Sequence, residues 1–217
     1  MARLKIAVLV SGRGSNLQAL IDACADPAFP AEIALVLSNI EGVFALERAA
    51  KAGISTAVVK HKDYPDRRSF EIEMDRILRT SGAELLCLAG FMRVLTADFI
   101  AAWADRIINI HPSLLPAFPG LHTHKRAIES GARFAGCTVH FVSPEVDAGP
   151  IIIQAAIPIR PEDDEDSLAA RVLEAEHKIF PAALALVAQD RVVINGNRTT
   201  IKDAPTPNGA LISPDIK

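Results

Sequence analysis

Apolar runs of strand length alternate with helix-type periodicity along the first half of the chain. The run at 4–10 has the length of a buried strand, and Leu17, Leu20 and Ile21 after it have the spacing of an amphipathic helix. Further strands and helices are predicted at 33–37, 43–52, 55–59, 70–82, 85–89, 96–103 and 107–110. Continuous apolar strands separated by helices predict a parallel sheet that is covered by helices on both faces.

The pattern changes after the fifth strand. Two apolar runs, 137–142 and 151–159, are separated by only eight residues, which is too short for a parallel crossover. They are therefore predicted to be antiparallel. A long helix is expected to begin at Asp166 or Ser167, and Pro181 is expected to kink or split it. The predicted fold is an α/β, Rossmann-like open twisted sheet, mostly parallel with antiparallel C-terminal strands.

The end of the chain has its own pattern. Residues 191–202 contain Asn-Gly between β-prone flanks, which predicts a terminal hairpin. The last fifteen residues are expected to be loose. No repeat or linker interrupts the pattern, so we expect a single domain over 1–217.

Composition narrows the class of partner. Half of the residues are hydrophobic and the net charge is −3, with acidic and basic residues interspersed. This balance argues against nucleic acid or a membrane as the partner. No run approaches the roughly 18 apolar residues of a membrane-spanning helix, and the start lacks the features of a secretory signal. We expect a cytoplasmic protein, either a monomer or a homodimer.

Cysteine and histidine spacing gives no metal or redox motif. Cys24, Cys87 and Cys137 are far apart and lie in apolar segments, so they are interpreted as small core residues. His122 and His124 have no further ligand at a spacing typical of zinc sites. No metal site is predicted.

A glycine turn, defined as residues 11–16 (SGRGSN), joins the first strand to the first helix. Glycines at such a point permit left-handed backbone, and the start of a helix presents free N–H groups to an anion. The dinucleotide-binding motif fails because residue 17 is leucine, and no Lys-Ser/Thr pair follows as a P-loop requires. Two interpretations stay open: a monophosphate site, or a tight turn with Asn16 as the helix cap.

A second set of polar residues lies at the end of strand five. Asn109 and His111 alternate along the strand, so they point to the same side. A neutral amide donor and an imidazole fit the stabilisation of a developing oxyanion. Asp147, in the loop between the antiparallel strands, is a candidate to orient His111 and hold it protonated. A lone histidine at a strand end is also a common structural hydrogen-bonding group.

Five stretches, in this order, carry a resemblance to a known family. They are LVSGRGSNLQALIDAC, LAGFMRVL, INIHPSLLPAFPGLHTHKRAIESG, GCTVHFVSPEVDAGPIIIQ and EAEHKIFP. Over nearly its whole length the chain resembles the folate-dependent phosphoribosylglycinamide formyltransferase family. Methionyl-tRNA formyltransferases and formyltetrahydrofolate hydrolases are similar around NIHPSLLP, but the former are expected to carry an extra C-terminal domain and the latter an N-terminal regulatory one.

The resemblance implies a division of the chain and a role for individual residues. It implies a nucleotide-binding half (about 1–100), a folate-binding and catalytic half (about 101–190) and a C-terminal hairpin and tail (191–217). Its catalytic residues are Asn109, His111 and Asp147. The implied ribonucleotide contacts are Gly14, Ser15, Asn16 and Glu176. The implied folate contacts are Arg67, Met92, Arg93, Val94, Leu95, Asn109, His140, Ser143, Pro144, Glu145 and Val146, with Arg68 as the alternative to Arg67 for the glutamate tail.

The resemblance also implies the reaction and its participants. The formyl group of 10-formyltetrahydrofolate would pass to the amine of glycinamide ribonucleotide by direct attack, through a tetrahedral intermediate. The folate is a co-substrate, and neither a metal nor a nucleic acid takes part. A hydrolase, a tRNA formyltransferase and a non-catalytic binding module are the competing functions.

Overall fold

Seven strands form one sheet in the order β3-β2-β1-β4-β5-β6-β7, and a hairpin, β8-β9, stands apart. The computed structural model describes residues 2–205 and 209–214. The strands are β1 Leu4–Val10, β2 Ala31–Ser38, β3 Thr56–Val58, β4 Leu85–Leu88, β5 Ile107–His111, β6 Phe134–Phe141, β7 Ile151–Pro158, β8 Val192–Asn195 and β9 Arg198–Ile201. The helices are α1 Ser15–Cys24, α2 Phe44–Lys51, α3 Arg67–Thr80, α4 Ala97–Ala102, α5 Thr123–Glu129 and α6 Glu165–Ala188.

The strand directions confirm the predicted fold class. Strands β1 to β5 pair in parallel, whereas β6 pairs antiparallel with both β5 and β7. The chain leaves β1 towards β2 on one side and later adds β4 on the other side. In an open α/β sheet, ligands bind beyond the carboxyl ends of the strands at such a switch point.

Helices cover both faces of the sheet, as predicted. Ile6, Val8 and Val10 of β1 pack in one core with α1 and α6. The intervening residues Ala7 and Leu9 face a second core, which is filled by α3 and α4. These five side chains, residues 6–10 of β1, are fully buried. This explains why the strand sequence is continuously apolar rather than alternating.

The long C-terminal helix differs from its prediction. It begins at Glu165, because the Asp164 carboxylate accepts a hydrogen bond from the Ser167 amide (2.8 Å) in a capping box. The helix continues through Pro181, so the predicted split is wrong. Phe180 and Leu184, on either side of the proline, are fully buried, and this packing holds the two parts as one helix.

The C-terminal hairpin is confirmed. It is attached to the main sheet by a hydrogen bond from the Thr199 hydroxyl to the Ile151 carbonyl (2.5 Å). In the tail, 206–208 and 215–217 lie outside the described residues, and 203–205 and 209–214 contain neither helix nor strand. Within the ranges that the structure describes, no helix is both long and apolar enough to cross a membrane.

Candidate active site

The glycine turn lies against the loop that follows β4. The Ser11 amide donates to the Gly90 carbonyl (3.1 Å), and the Ser11 hydroxyl accepts a hydrogen bond from the Met92 amide (2.8 Å). Residues 11–16, Ala89, Gly90 and Met92 line a cleft of about 210 Å³. The cleft therefore lies at the switch point of the sheet, between the loops that follow β1 and β4.

Gly14 sets the shape of the glycine turn. It adopts left-handed backbone with φ 72°, and it precedes α1 without a side-chain cap. A Cβ atom at this position would lie 2.7 Å from Cβ of Ala45, so both backbone conformation and space require glycine. Asn16 lies inside the first turn of α1, and the prediction that it caps the helix is wrong. The amides at this helix start are left for another acceptor.

Asn16 is instead paired with Glu176 of α6. Its amide nitrogen donates to Glu176 Oε2 (2.7 Å), although 160 positions separate the two residues. Burial raises the pKa of the Glu176 carboxyl, and the hydrogen bond from Asn16 opposes this shift. Asn16 Oδ1 is buried and has no hydrogen-bond partner within the described chain. The pair therefore offers an acceptor at the edge of the cleft.

Antiparallel pairing of β5 and β6 places Asn109 directly opposite His140. The Asn109 amide nitrogen lies 3.2 Å from His140 Nε2, and His140 Nδ1 lies 2.8 Å from the Phe141 carbonyl. Burial lowers the pKa of His140. The arrangement fits a neutral imidazole that donates from Nδ1 to Phe141 and accepts at Nε2 from Asn109. His140 is only 2% exposed, so it orients the amide rather than forming the wall of a pocket.

His111 lies between two acceptors. Its Nδ1 is 3.5 Å from Asp147 Oδ2, and its Nε2 is 3.2 Å from the Phe118 carbonyl. Each ring nitrogen of His111 thus has an oxygen atom nearby, a carboxylate oxygen at Nδ1 and a carbonyl oxygen at Nε2. Asp147 has φ 56° and also accepts a hydrogen bond from the Gly120 amide (2.8 Å). The backbone conformation of Asp147 and the hydrogen bond from Gly120 together hold the carboxylate beside the imidazole.

Four side chains thus form one cluster, which holds the candidate catalytic residues and is called the catalytic cluster below: Asn109, His111, His140 and Asp147. Asp147 Oδ1 lies 3.9 Å from His140 Nε2, so the carboxylate lies close to both histidines. The proline-rich loop after β5 is held by the Leu115 amide, which donates to the Thr138 hydroxyl of β6 (3.1 Å). The structure therefore brings together the three predicted catalytic residues and adds His140 to them.

Residues 4–184 match the family model described as Formyl transferase. The chain belongs to the formyl transferase family. It is 42% identical to the phosphoribosylglycinamide formyltransferase of Escherichia coli over 194 residues, covering 89% of this chain and 92% of that protein. The crystal structure of glycinamide ribonucleotide transformylase 1 from Symbiobacterium toebii superposes with a TM-score of 0.91 at 45% identity, covering 93% and 95% of the two chains.

The chain also resembles one part of a much longer protein. It is 57% identical over 188 residues to the trifunctional purine biosynthetic protein adenosine-3 of Drosophila pseudoobscura pseudoobscura. This match covers 86% of the present chain but only 14% of the Drosophila protein. The chain thus spans about a seventh of that relative.

In the segment FMRVL, residues 91–95, some side chains are exposed and others are buried. Met92 and Val94 are 68% and 52% exposed beside the cleft, whereas the Leu95 side chain packs into the core formed by α3 and α4. Arg93 Nε is buried, and no partner for it lies within the described chain. Of the predicted folate contacts here, Met92 and Val94 offer side chains, and Leu95 has only its backbone to offer.

The remaining predicted folate contacts lie at the surface. Arg67 and Arg68 are both exposed at the start of α3, and the structure does not distinguish them. Val146 is 52% exposed, and the Ser143 hydroxyl donates to the Glu145 carbonyl (2.9 Å). Gly149 closes this loop tightly against β6, since a Cβ there would lie 1.8 Å from the Phe141 carbonyl oxygen.

Sequence reasoning missed a buried carboxylate that supports residues 91–95. Glu71 of α3 is 4% exposed and accepts hydrogen bonds from the amide (2.8 Å) and the hydroxyl of Thr96. Ser11 holds the other end through Met92. The signal for Glu71 was an acidic residue directly beside Phe70, on a helix face that packs into the core.

The cysteines do not offer nucleophiles. Burial raises the pKa of Cys24 to about 11 and that of Cys137 to about 12. These groups are thiols at neutral pH, which agrees with the predicted role as core residues. Among the residues that the structure describes, no group of three or more His, Cys, Asp or Glu side chains is arranged to hold a metal ion.

Proposed function

We propose that this chain transfers the formyl group of 10-formyltetrahydrofolate to the amine of glycinamide ribonucleotide, a step of purine biosynthesis. The observation that carries the proposal is the position of the catalytic cluster. Asn109, His111 and Asp147 lie at the same edge of the sheet as the glycine turn. An oxyanion site therefore adjoins an anion site, as a phosphorylated amine acceptor requires. The name of the Escherichia coli relative supports the same assignment.

In this mechanism the ribonucleotide amine attacks the formyl carbon directly. The new carbon–nitrogen bond gives a tetrahedral intermediate with a negatively charged oxygen, and its collapse breaks the bond to N10 of the folate. One N–H of Asn109 is directed to His140, which leaves the other for this oxygen. Removing one such donor typically lowers the rate by about 10²–10³-fold.

His111 supplies the second donor. Its Nε2 lies 3.2 Å from the Phe118 carbonyl, and in this mechanism the Nε2 proton is donated to the formyl oxygen. Asp147 keeps the imidazole charged and oriented through Nδ1. Asp147 also helps to relay the proton lost by the amine to the departing N10, through water. Since no covalent intermediate forms on the enzyme, the remaining acceleration comes from holding two substrates in line.

The proposed substrate contacts fall into two sets, one for the ribonucleotide and one for the folate. Gly14, Ser15 and Asn16 bind the ribonucleotide phosphate through backbone N–H groups, and Glu176 accepts from the ribose hydroxyls. The folate pterin contacts residues 92–95 and 143–146 on the opposite side. Arg67, or its neighbour Arg68, binds the glutamate tail, since both guanidinium groups are exposed.

One assay tests the proposal against its competitors. Purified protein is incubated with 10-formyltetrahydrofolate alone, with glycinamide ribonucleotide or with charged initiator tRNA, and tetrahydrofolate release is followed. We expect release only with the ribonucleotide. Release without an acceptor would indicate a hydrolase, and release that requires charged initiator tRNA would indicate a tRNA formyltransferase. No release under any condition would indicate a binding module. The cytoplasmic location and the monomeric or homodimeric state stay predictions.

A further inference from the structure

Helix α2 contacts the glycine turn at three successive residues. The Ala45 amide, which lies in the first turn of the helix, donates to the Gly12 carbonyl (3.1 Å). One turn further along, Arg48 Nε donates to the Arg13 carbonyl (3.0 Å). The Ala45 side chain also lies where a Cβ of Gly14 would be. The backbone from Gly12 to Gly14 is therefore in contact with one face of α2.

These contacts determine where the amides of the glycine turn point. In a trans peptide the C=O and N–H bonds point in opposite directions. The Gly12 carbonyl shares a peptide with the Arg13 amide, and the Arg13 carbonyl shares one with the Gly14 amide. Because both carbonyls point to α2, both amides point away from it, towards the cleft that residues 11–16 line.

Arg48 is held in place by its own neighbours. Its Nη1 donates to Gln18 Oε1 of α1 (3.0 Å), and its guanidinium lies 4.6 Å from the centroid of the Phe44 ring. One planar group thus joins α1, α2 and the turn between β1 and α1. A lysine cannot reproduce this arrangement, because its single ammonium lacks the rigid fork of donors.

We propose that α2 is the element that orients the phosphate-binding amides and that Arg48 is a positioning residue for the ribonucleotide. It acts through the Arg13 carbonyl rather than by contact with the substrate. This inference rests on the proposed function, since it assumes that the glycine turn binds the phosphate. It deepens that function by assigning a residue of α2 that lies behind the cleft.

The first test is a split between kinetic constants. We expect Arg48→Met to raise KM for glycinamide ribonucleotide about five- to tenfold, the effect of one lost charge-assisted hydrogen bond. The kcat value and the KM for the folate should change less than about twofold, because the catalytic cluster is untouched. Arg48→Lys should raise the same KM, since charge alone does not hold the carbonyl.

Arg79→Met is the matched control. Arg79 also lies on a helix, donates to a backbone carbonyl (Ala102, 3.3 Å) and stacks on an aromatic ring (Trp103, 4.9 Å), but it is on α3 in the opposite core layer. We expect its kinetic constants to equal those of the unchanged protein. Gln18→Ala, which removes the second anchor of Arg48 together with the exposed hydrogen bond from Gln18 to Asp22, serves if Arg48→Met does not fold. It should raise KM for the ribonucleotide about two- to threefold.

The second test separates this inference from the proposed function. Inorganic phosphate is titrated into ¹⁵N-labelled protein, and the amide signals of Arg13, Gly14 and Ser15 are followed. We expect them to shift in the unchanged protein and to require about five- to tenfold more phosphate in Arg48→Met. Equal phosphate affinity in the two proteins, or full recovery by lysine, would overturn the positioning role alone. If the amide signals of the glycine turn do not shift when phosphate is added to the unchanged protein, both the phosphate site and the inference would be overturned.

Discussion

The two ends of the candidate site, which lie along the same edge of the sheet, offer different chemical groups. At the β1–β4 end, parallel strands lead into helices, and the groups offered are backbone amides of the glycine turn. At the β5–β6 end, antiparallel strands place side chains of two strands opposite each other, and the groups offered are imidazole, amide and carboxylate. A phosphate needs fixed donors, whereas formyl transfer needs groups that donate and move protons. Each end of the sheet has the strand direction that suits its task.

The two ends nevertheless share one device, an asparagine whose amide is oriented by a buried titratable group. Asn16 donates to Glu176, and Asn109 donates to His140. Burial raises the pKa of the acid and lowers the pKa of the imidazole, so in both cases it favours the neutral form. The free energy of unfolding that each group contributes should therefore change with pH in opposite directions at the two ends. This difference can be measured.

The largest expected effect is the loss of catalysis in His111→Ala. The variant removes the proposed imidazole donor to the tetrahedral intermediate but leaves the glycine turn intact. We expect kcat to fall about 10²–10³-fold. The KM for glycinamide ribonucleotide should change less than about twofold, because the phosphate is bound at the other end. Steady-state kinetics with both substrates varied gives the two constants. A kcat near that of the unchanged protein would reject His111 as a catalytic residue.

Asp147→Asn is expected to have the next largest effect. Asparagine keeps the shape and tolerates the positive φ, but it removes the negative charge beside His111. We expect kcat to fall about 10²-fold with little change in KM. Asp105→Asn is the matched control, since Asp105 is an exposed aspartate with φ 58° remote from the catalytic cluster. If both variants lose the same activity, the loss at Asp147 reflects backbone strain.

The fold could be predicted from the sequence because the spacing of apolar residues reflects which side chains are buried. The continuous apolar run at β1 reflects cores on both faces, and the short gap between β6 and β7 excluded a parallel connection. The helix through Pro181 did not follow, since the packing of Phe180 and Leu184 depends on elements distant in sequence. The expectation that proline interrupts a helix considers only local backbone effects and does not include this tertiary packing.

The site was predictable in part, for a similar reason. Asn109 and His111 were placed together by strand alternation alone. The pairing of Asn16 with Glu176 and of Asn109 with His140 depends on tertiary register, to which local patterns do not give access. The interpretation of Asn16 as a helix cap, one of the two left open, is wrong because α1 already begins at Ser15. Resemblance, not spacing, nominated Glu176 and His140.

Gly14→Ala should act at the opposite end of the candidate site from His111→Ala. The added Cβ would press on Ala45 and move the turn amides. We expect KM for glycinamide ribonucleotide to rise about tenfold or more, while kcat and the folate KM change less than about twofold. Gly42→Ala is the control, since Gly42 has φ 67° but nothing within 4 Å of its Cβ position. Backbone strain should cost both variants about 1–2 kcal/mol of unfolding free energy, and Gly14→Ala should lose more because of its contact with Ala45, but only Gly14→Ala should raise the KM. A change confined to the folate KM would overturn the phosphate assignment.

A smaller effect is expected on stability in Glu176→Gln. The folded-state pKa of Glu176 lies above the ordinary 4.5, so the folded protein binds more protons than the unfolded chain between the two values. Its unfolding free energy therefore falls as pH rises through that window. Glutamine keeps an acceptor for Asn16 but does not titrate. Urea unfolding at a series of pH values should show the variant gaining on the unchanged protein as pH increases. A constant difference across pH would show that burial does not shift the pKa of this carboxyl.

The smallest effect, with the opposite sign, is expected in His140→Gln. The folded-state pKa of His140 lies below the ordinary 6.5, so the stability it contributes is present above 6.5 and is lost as pH falls through the folded value. Glutamine still offers an acceptor to the Asn109 amide but removes this loss. The same urea series should therefore show this variant gaining on the unchanged protein as pH decreases, whereas Glu176→Gln gains as pH increases. Because each residue orients an asparagine at a different end, the double variant should show the sum of the two pH dependences. A shared direction in the two single variants would mean that the two ends do not hold their asparagines by the same device.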